Sequence, residues 1–308
     1  EPENYLDYLD YGTVMDAREL VEMNPTLDEI AEIRVEPFGA LRSKYITAAH
    51  WHDLAQRITR VLNEPEITGA VVSHGTGTME ETAWFLHLVI NTTKPVVVVG
   101  AQRPGSTVAS DTQLNLSDAF RVATNPASHN IGVTVVMNRQ IHSARDVTKV
   151  ANHRLDAMQS PVRGPLGVIA ADHGVQYWRT PPNPHTCQSR FAGLPTPLPR
   201  VDIVHAYTDA DATAVEAFLS AGARGLVAVG YPPGTLTKPL DDALEQAIAQ
   251  NIQVVQASRG YLEPAVMARP GLTQRGLIPN TDITPAKAKI LLQLCLAQEL
   301  TPEATAEV

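Results

Sequence analysis

The chain has 308 residues, of which 44% are hydrophobic and 19% charged, and its formal net charge at pH 7 is −9. This composition allows a sizeable core and excludes global disorder, and an acidic chain without a Lys/Arg block is not expected to bind nucleic acid. No apolar run approaches the roughly 18 residues of a membrane span, and the first residues lack the regions of a signal peptide. Cys187 and Cys295 form neither a disulfide framework nor a metal-ligand spacing. We therefore expect a cytoplasmic globular protein without a metal site, a nucleic-acid partner or a membrane partner.

The first half of the chain alternates between apolar β-branched runs and helical patterns. Helices are predicted over residues 16–23, 48–62, 79–86 and 111–124, and strands over residues 33–37, 67–72, 94–100, 131–137 and 166–170. Pro25 ends the first helix, and Thr47 is the predicted N-cap of the second. Strands that alternate with helices favour a parallel sheet with right-handed crossovers.

Prolines crowd residues 179–200, which predicts an extended linker. After it the alternation restarts. Strands are predicted over residues 201–206, 225–229 and 252–257, and helices over residues 211–221, 240–249 and 285–298. The predicted fold class is therefore a two-domain α/β protein. Its larger N-terminal domain, with a parallel or mixed sheet, would span residues 1–178, and its smaller C-terminal α/β domain residues 201–308.

The most informative stretch is His74-Gly75-Thr76-Gly77-Thr78, which follows the predicted strand at 67–72. Hydroxyls, a histidine and glycines are gathered there at the carboxyl end of a strand, where open α/β sheets bind ligands. The spacing fits neither phosphate-binding fingerprint, which disfavours a nucleotide-using enzyme. His74 is interpreted either as a metal ligand or as a hydrogen-bonded structural residue. Thr76 and Thr78 are either catalytic hydroxyls or helix caps, since Glu81 follows Thr78 at the spacing of a capping box.

A second candidate is Lys149, which ends the segment Arg145-Asp146-Val147-Thr148-Lys149. Most lysines are solvated surface charges. A buried lysine, however, has a lowered pKa and can act as a base that activates a hydroxyl nucleophile. The residues alone leave both interpretations open.

Several segments, in the same order along the chain, resemble the bacterial-type asparaginase/glutaminase family. Residues 74–83 differ at one position from the family's His-Gly-Thr-Asp-Thr-Met-Glu-Glu-Thr-Ala. Residues 94–104, which end in Gly-Ala-Gln-Arg-Pro, look like its Lys-Pro-Val-Val…Gly-Ala-Met-Arg-Pro. Residues 145–149 are similar to its Arg-Asp-Val-Thr-Lys, and residues 285–294 resemble its final helix. The resemblance covers nearly the whole chain.

The resemblance implies an enzyme that hydrolyses the side-chain amide of asparagine or glutamine without a metal or organic cofactor. In the family two threonines and a lysine carry the chemistry, and Thr76 and Lys149 match the second threonine and the lysine of its proton relay. Tyr11 or Tyr8 is a loose match for the tyrosine of its lid. Ser43 looks like the serine that holds the substrate's α-carboxylate, with Lys44 beside it. The resemblance also implies a homotetramer with sites between subunits.

The chain departs from the family pattern at three places. The family's opening strand, which ends in Thr-Gly-Gly-Thr-Ile with the first nucleophilic threonine, is not found, so either an upstream segment is missing or this nucleophile is absent. Gly77 replaces the aspartate that binds the substrate's α-ammonium and supports the lysine. Residues 230–234 replace the family's Gly-Asn-Gly segment, and residues 269–280 offer no glutamate to complete ammonium recognition.

These departures predict a pocket that has lost its means of holding an α-amino group. We therefore predict an amidohydrolase that cleaves a small-molecule amide without a free α-amine through its Thr–Lys relay. Backbone N–H groups near Gly75 and Gly77 are predicted to stabilise the oxyanion. Ser43 and Lys44 are predicted to hold an anionic end of the substrate. Two alternatives stay open: an ordinary L-asparaginase/glutaminase, and a catalytically impaired binding homologue.

Overall fold

The computed structural model describes residues 14–105, 107, 109–193, 197–260, 270–280 and 282–308. The chain divides into two compact units, Glu1–Leu194 and Pro195–Val308. The first unit holds a six-stranded mixed sheet and a separate two-stranded sheet, and the second holds a four-stranded parallel sheet. Both units carry helices as well, so the predicted two-domain α/β fold class is confirmed.

The elements of the N-terminal unit follow the predicted alternation. Its helices are α1 (Ala17–Glu22), α2 (Ala48–Leu62), α3 (Met79–Val89) and α4 (Thr112–Thr124). Its strands are β1 (Ala70–Ser73), β2 (Val96–Val99), β3 (Val133–Met137), β4 (Gln140–Ser143), β5 (Thr148–Lys149), β6 (Met158–Gln159), β7 (Gly167–Ile169) and β8 (Val175–Tyr177). The sheet order is β1-β2-β3-β4-β7-β8, with β5 and β6 paired separately.

The strands β1, β2 and β3 pair in parallel, in a register that aligns Ser73 with Val99 and Val99 with Val136. All four residues of β2 are valines, and all four are buried. A buried central strand of β-branched residues is typical of a parallel sheet covered by helices. Because the strands are parallel and in register, the loops after β1 and β2 leave the same edge of the sheet side by side.

The second half of this sheet is antiparallel. The turn between β3 and β4 contains only Asn138 and Arg139, and both have positive φ angles, 50° and 61°. Two residues of positive φ form the primed turn that suits a tight hairpin. Asn-Arg is not a common sequence for such a turn, which explains why the sequence pattern did not indicate β4.

The strand predicted over residues 33–37 was wrong, because these residues form no regular element. Arg34 instead pairs with Glu64, at 2.6 Å, and with Glu36, at 3.5 Å. Pro37, at the end of the segment, lacks the backbone N–H needed for hydrogen bonding to a neighbouring strand. The segment is therefore tied to the surface by ion pairs rather than by strand pairing.

The C-terminal unit is a parallel sheet of order β12-β11-β10-β9. Its strands are β9 (Val201–His205), β10 (Gly225–Gly230), β11 (Gln253–Ser258) and β12 (Leu277–Pro279), and its helices are α5 (Thr213–Ser220), α6 (Lys238–Ala249), α7 (Pro270–Thr273), α8 (Pro285–Ala297) and α9 (Pro302–Ala306). Every residue of β10 and of β11 is buried. The predicted start of α8 is confirmed, because Thr284 accepts a hydrogen bond from Lys287 N and Pro285 occupies the first helical position.

Candidate active site

Residues 74–78, which we call the Thr76 turn, connect the end of β1 to the start of α3. His74 N donates to Val99 O at 2.8 Å, which extends the pairing of β1 and β2 by one residue. Gly100 allows the two loops to approach, since a Cβ atom there would lie 2.4 Å from His74 O and 3.3 Å from Thr76 Cγ2. The Thr76 turn is thus pressed against the loop that follows β2.

The structure brings Thr76 and Lys149 together, although 73 positions separate them in the sequence. Lys149 Nζ donates to Thr76 Oγ1 at 2.7 Å, and the Thr76 side chain is buried. Lys149 lies at the end of β5, paired with Met158 of β6. Burial lowers the pKa of the Lys149 amine below its ordinary value of 10.5, because desolvation disfavours the charged form. The structure therefore places an amine with a lowered pKa against a buried hydroxyl.

A third group at this point is Gln102, which the sequence reasoning did not single out as a site residue. It is 6% exposed, and its Oε1 lies 3.4 Å from Thr76 Oγ1, within reach of that hydroxyl's proton. Its Nε2 is buried and has no hydrogen-bond partner among the described residues. The available signal was its position, three residues after the end of β2 at the carboxyl edge of the sheet.

The loop that carries Gln102 is held by Asp111, the residue before α4. Its carboxylate accepts hydrogen bonds from Gln102 N at 3.1 Å, Arg103 N at 2.8 Å and Asn115 Nδ2 at 2.9 Å. Asn115 Nδ2 also donates to Gly100 O at 2.9 Å. The Asp111 carboxylate, which can only accept hydrogen bonds, thus binds two backbone N–H groups of the loop and fixes the position of the Gln102 backbone. The sequence predicted α4 but gave no signal for this contact.

His74 belongs to a chain of hydrogen bonds behind the Thr76 turn. Its Nδ1 lies 2.7 Å from Gly75 O and its Nε2 lies 2.9 Å from Thr82 Oγ1. Thr82 Oγ1 in turn accepts from Trp51 Nε1 at 2.8 Å. Burial lowers the pKa of His74, which favours the neutral ring that this pattern needs. The structural interpretation of His74 is confirmed, and the part of the chain that the structure describes contains no group of three or more acidic, His or Cys side chains arranged for a metal ion.

Ser43 lies against the outer side of the Thr76 turn. Its Oγ would be 2.9 Å from a Cβ atom at Gly75 and 3.0 Å from one at Gly77. Thr78 Oγ1 donates to Ser43 O at 3.0 Å, and no side-chain hydrogen bond caps α3. The capping-box interpretation of Thr78 was therefore wrong, because its hydroxyl fastens the Ser43 segment to the Thr76 turn instead. Ser43, Gly75 and Gly77 are brought together with Thr76.

Of the two remaining predicted site residues, the structure describes only Lys44, which does not join this cluster. Lys44 is exposed, and its Nζ lies 5.2 Å from the ring centroid of Tyr45, which is 60% exposed. Tyr11 lies outside the described residues.

Near Lys149 in sequence, the aspartate of the Arg145–Lys149 segment is buried in a cationic clamp. Asp146 has a 5% exposed side chain and lies 3.4 Å from Arg145 Nη1 and 3.2 Å from Arg179 Nη2. A buried carboxylate needs such partners to remain stable. This clamp fixes the segment that leads into β5, and so helps to place Lys149.

Two family domains match the chain: "Asparaginase, N-terminal" over residues 6–182 and "Glutaminase/Asparaginase C-terminal domain" over residues 200–308. L-asparaginase 2 of Escherichia coli is 36% identical over 286 residues, which cover 92% of this chain and 81% of that protein. The glutaminase-asparaginase of Pseudomonas fluorescens is 34% identical over 285 residues, 91% of this chain and 78% of that protein.

The crystal structure of a probable cytoplasmic L-asparaginase from Campylobacter jejuni superposes with a TM-score of 0.91 at 34% identity. It covers 95% of this chain and 93% of its own. A probable periplasmic L-asparaginase of Haemophilus influenzae is 36% identical over 92% of this chain and 81% of its own length. The relatives' names therefore point to two compartments. None of the helices that the structure describes has the length and apolar character needed to cross a membrane.

Proposed function

Because the chain belongs to the asparaginase/glutaminase family, it is a hydrolase of carbon–nitrogen bonds other than peptide bonds, and we propose that Thr76 and Lys149 form its catalytic pair. The observation that carries this proposal is the 2.7 Å contact between Lys149 Nζ and Thr76 Oγ1, together with the lowered pKa of Lys149. A threonine hydroxyl is a weak nucleophile until a neighbouring base removes its proton. Lys149 in its neutral form is such a base.

In the proposed reaction Lys149 takes the proton of the Thr76 hydroxyl as its oxygen attacks the amide carbon. The C–N bond then breaks, the amine leaves as ammonia with the proton returned by Lys149, and an ester is left on Thr76. Water then attacks the ester, Lys149 takes a proton from this water, and it returns the proton to the Thr76 oxygen as the acid leaves. Backbone N–H groups near Gly75 and Gly77 stabilise the oxyanion at the attacked carbon. The mechanism requires only groups of the protein.

The proposed substrate is an amide whose α-amino group is absent, acylated or closed into a ring. Gly77 has no carboxylate where the family pattern has one, and a buried ammonium without a charged partner is strongly disfavoured. Ser43 is the residue we propose for the anionic end of the substrate, with Lys44 supplying positive charge from the exposed side. Tyr11 is proposed as the lid tyrosine, a homotetramer as the assembly, and the cytoplasm as the compartment.

The first experiment measures ammonia release by the purified protein and by Thr76→Ala from a panel of amides. The panel is L-asparagine, L-glutamine, N-acetyl-L-asparagine and succinamate. We expect the wild type to favour the last two, and Thr76→Ala to lose at least about 100-fold in kcat. Unchanged activity of Thr76→Ala would remove this residue from the mechanism.

A second measurement tests for the covalent intermediate. Hydroxylamine added during turnover is expected to yield the hydroxamate of the substrate acid, because a threonine ester reacts with this nucleophile. Turnover without hydroxamate would show that water attacks the amide directly.

The ordinary asparaginase is a second candidate, favoured by the names of the relatives. Wild-type kcat/KM for L-asparagine above that for N-acetyl-L-asparagine would establish it and would contradict the proposed substrate. Absence of ammonia release from every member of the panel would support the impaired binding homologue.

A further inference from the structure

The proposed chemistry makes no use of the side-chain amide of Gln102, which lies beside the Thr76 hydroxyl. The family pattern quoted above has methionine at this position, which has no hydrogen-bond donor. Here Gln102 Oε1 lies 3.4 Å from Thr76 Oγ1, whereas Nε2 is buried without a partner among the described residues. A buried donor left unsatisfied is disfavoured, and native proteins have few of them. An unpaired amide beside the proposed catalytic hydroxyl therefore points to a group that joins it from outside the protein.

The hydrogen bonds around Thr76 decide which end of the amide is free. Lys149 Nζ donates to Thr76 Oγ1, so the hydrogen of the Thr76 hydroxyl is available for Gln102 Oε1. In this orientation the NH₂ group of Gln102 has no partner among the described residues. The two ends of an amide are only about 2.2 Å apart, so the free N–H group also lies close to the reacting oxygen.

We propose that Gln102 determines substrate specificity: its Nε2 donates a hydrogen bond to a carbonyl oxygen that the substrate carries beside the amide to be cleaved. The inference rests on the proposed function and makes its substrate class more specific. The substrate is an N-acylated asparagine or glutamine, whose acyl carbonyl provides the acceptor. A free α-ammonium carries only donors, so it cannot accept from Nε2 and finds no carboxylate at Gly77.

Gly77 and Gln102 both favour a substrate whose α-amino group is acylated. Gly77 is exposed, and among the described residues a Cβ atom there would meet only Ser43 Oγ within 4 Å, at 3.0 Å. The missing side chain leaves room beside Thr76 for an acyl group. Gln102 then supplies a neutral donor for that group, on a loop fixed by Asp111.

The test compares kcat/KM for N-acetyl-L-asparagine and for L-asparagine, measured as ammonia release, in the wild type, Gln102→Met and Gln102→Glu. Gln102→Met keeps the length of the side chain and removes the donor. We expect it to lower kcat/KM for N-acetyl-L-asparagine by about 10- to 100-fold and that for L-asparagine by less than about 3-fold. Gln102→Glu replaces the donor by an acceptor and is expected to shift the ratio further towards L-asparagine.

A matched control is Gln253→Met in the C-terminal unit, where the amide is satisfied by Leu300 O at 2.6 Å. It is expected to lower thermal stability without changing the substrate ratio. If both Gln102 variants change the two substrates by the same factor, while Thr76→Ala is inactive and the wild type prefers the acylated substrate, the inference is wrong and the proposed function stands. If Thr76→Ala remains active, or the wild type prefers L-asparagine, the proposed function itself fails.

Discussion

Two connections in this chain have the same topology but use their polar groups differently. The Thr76 turn links β1 to α3, and residues 231–237 link β10 to α6. In the second connection part of the polar backbone closes on itself: Tyr231 N donates to Thr235 O at 2.7 Å, and Thr235 N donates to Tyr231 O at 2.8 Å. Arg259 covers it, with its guanidinium carbon 4.7 Å from the centroid of the Tyr231 ring.

The Thr76 turn instead directs its polar atoms at other segments. Thr76 is joined to Lys149 from β5, Thr78 to the Ser43 segment, and His74 to Thr82 of α3. A turn that satisfies part of its own backbone serves the fold, whereas a turn that presents a hydroxyl to a remote amine fits the chemistry that we propose for it. Strand–turn–helix topology is common to both, so the partner of each polar atom separates them.

The largest expected effect concerns Lys149, which has no counterpart in the second connection. Lys149→Met should lower kcat by about 10²- to 10⁴-fold, since it removes the general base while keeping the volume of the side chain. In the wild type the rate should rise with pH as Lys149 loses its proton, with an apparent pKa below 10.5 because burial lowers it. A pH–rate profile of both proteins checks this. A wild-type rate that falls over the same pH range would contradict the assignment.

The second prediction adds a methyl group at Gly230, the last residue of β10, which directly precedes the second connection. A Cβ atom at Gly230 would lie 2.5 Å from Gly234 O and from Thr235 O, which are backbone atoms. Gly230→Ala should therefore lower the free energy of unfolding by about 1–3 kcal/mol, measured by denaturant titration. Gly77→Ala is the matched control. In the part of the chain that the structure describes, its methyl would meet only the movable Ser43 hydroxyl, so it should cost less. Equal losses would mean that the Thr76 turn is packed as tightly as the other.

The third prediction loosens the loop beside the Thr76 turn. Asp111→Ala removes the acceptor of Gln102 N and Arg103 N and should cost about 1–3 kcal/mol of stability. Because Gln102 then loses its anchor, kcat for the N-acylated substrate should fall as well. Asp111→Asn keeps one acceptor oxygen and should lie between Asp111→Ala and the wild type in both measurements. A stability loss without any change in kcat would show that the loop's position is unimportant for turnover.

The fourth prediction removes the cover of the second connection. Tyr231→Leu abolishes the stacking with Arg259 and should cost about 0.5–1 kcal/mol, the usual value of an exposed cation–π contact. Thermal melting detects this loss, and ammonia release should be unchanged. Loss of activity would place this connection in the reaction.

The smallest expected effect is on stability, again at Lys149. In the folded chain the pKa of Lys149 lies below its ordinary value of 10.5. At pH values below the folded pKa, burial of the charged amine lowers the free energy of unfolding. This loss of stability disappears as pH rises towards 10.5. Lys149→Met should therefore raise the melting temperature slightly at pH 7, and by less at pH 9.5. The effect is small because Lys149 is only partly buried. A lower melting temperature at pH 7 would show that the hydrogen bond outweighs desolvation.

Much of the fold could be predicted because its signals are local. Apolar β-branched runs indicated β1, β2 and β3, and the helices that follow β1 and β2 began close to the predicted residues. The antiparallel half of the first sheet could not be predicted, because β4 depends on an Asn138-Arg139 turn with positive φ at two residues that rarely form one. The strand predicted over residues 33–37 was wrong for the opposite reason. Its residues favour a strand, but Arg34 forms ion pairs and the segment pairs with no neighbouring strand.

By itself the sequence determined the two-domain α/β class, the family, and the placing of Thr76 at the carboxyl end of a strand, because each of these depends on residue order alone. The tertiary structure decided which side chains meet. Only parallel register brings the loop of Gln102 beside Thr76, and only the folding back of β5 brings Lys149 within 2.7 Å of the same hydroxyl. Burial lowers the pKa of Lys149 and leaves Gln102 Nε2 without a partner among the described residues. It is a property of that packing and cannot be deduced from the order of residues.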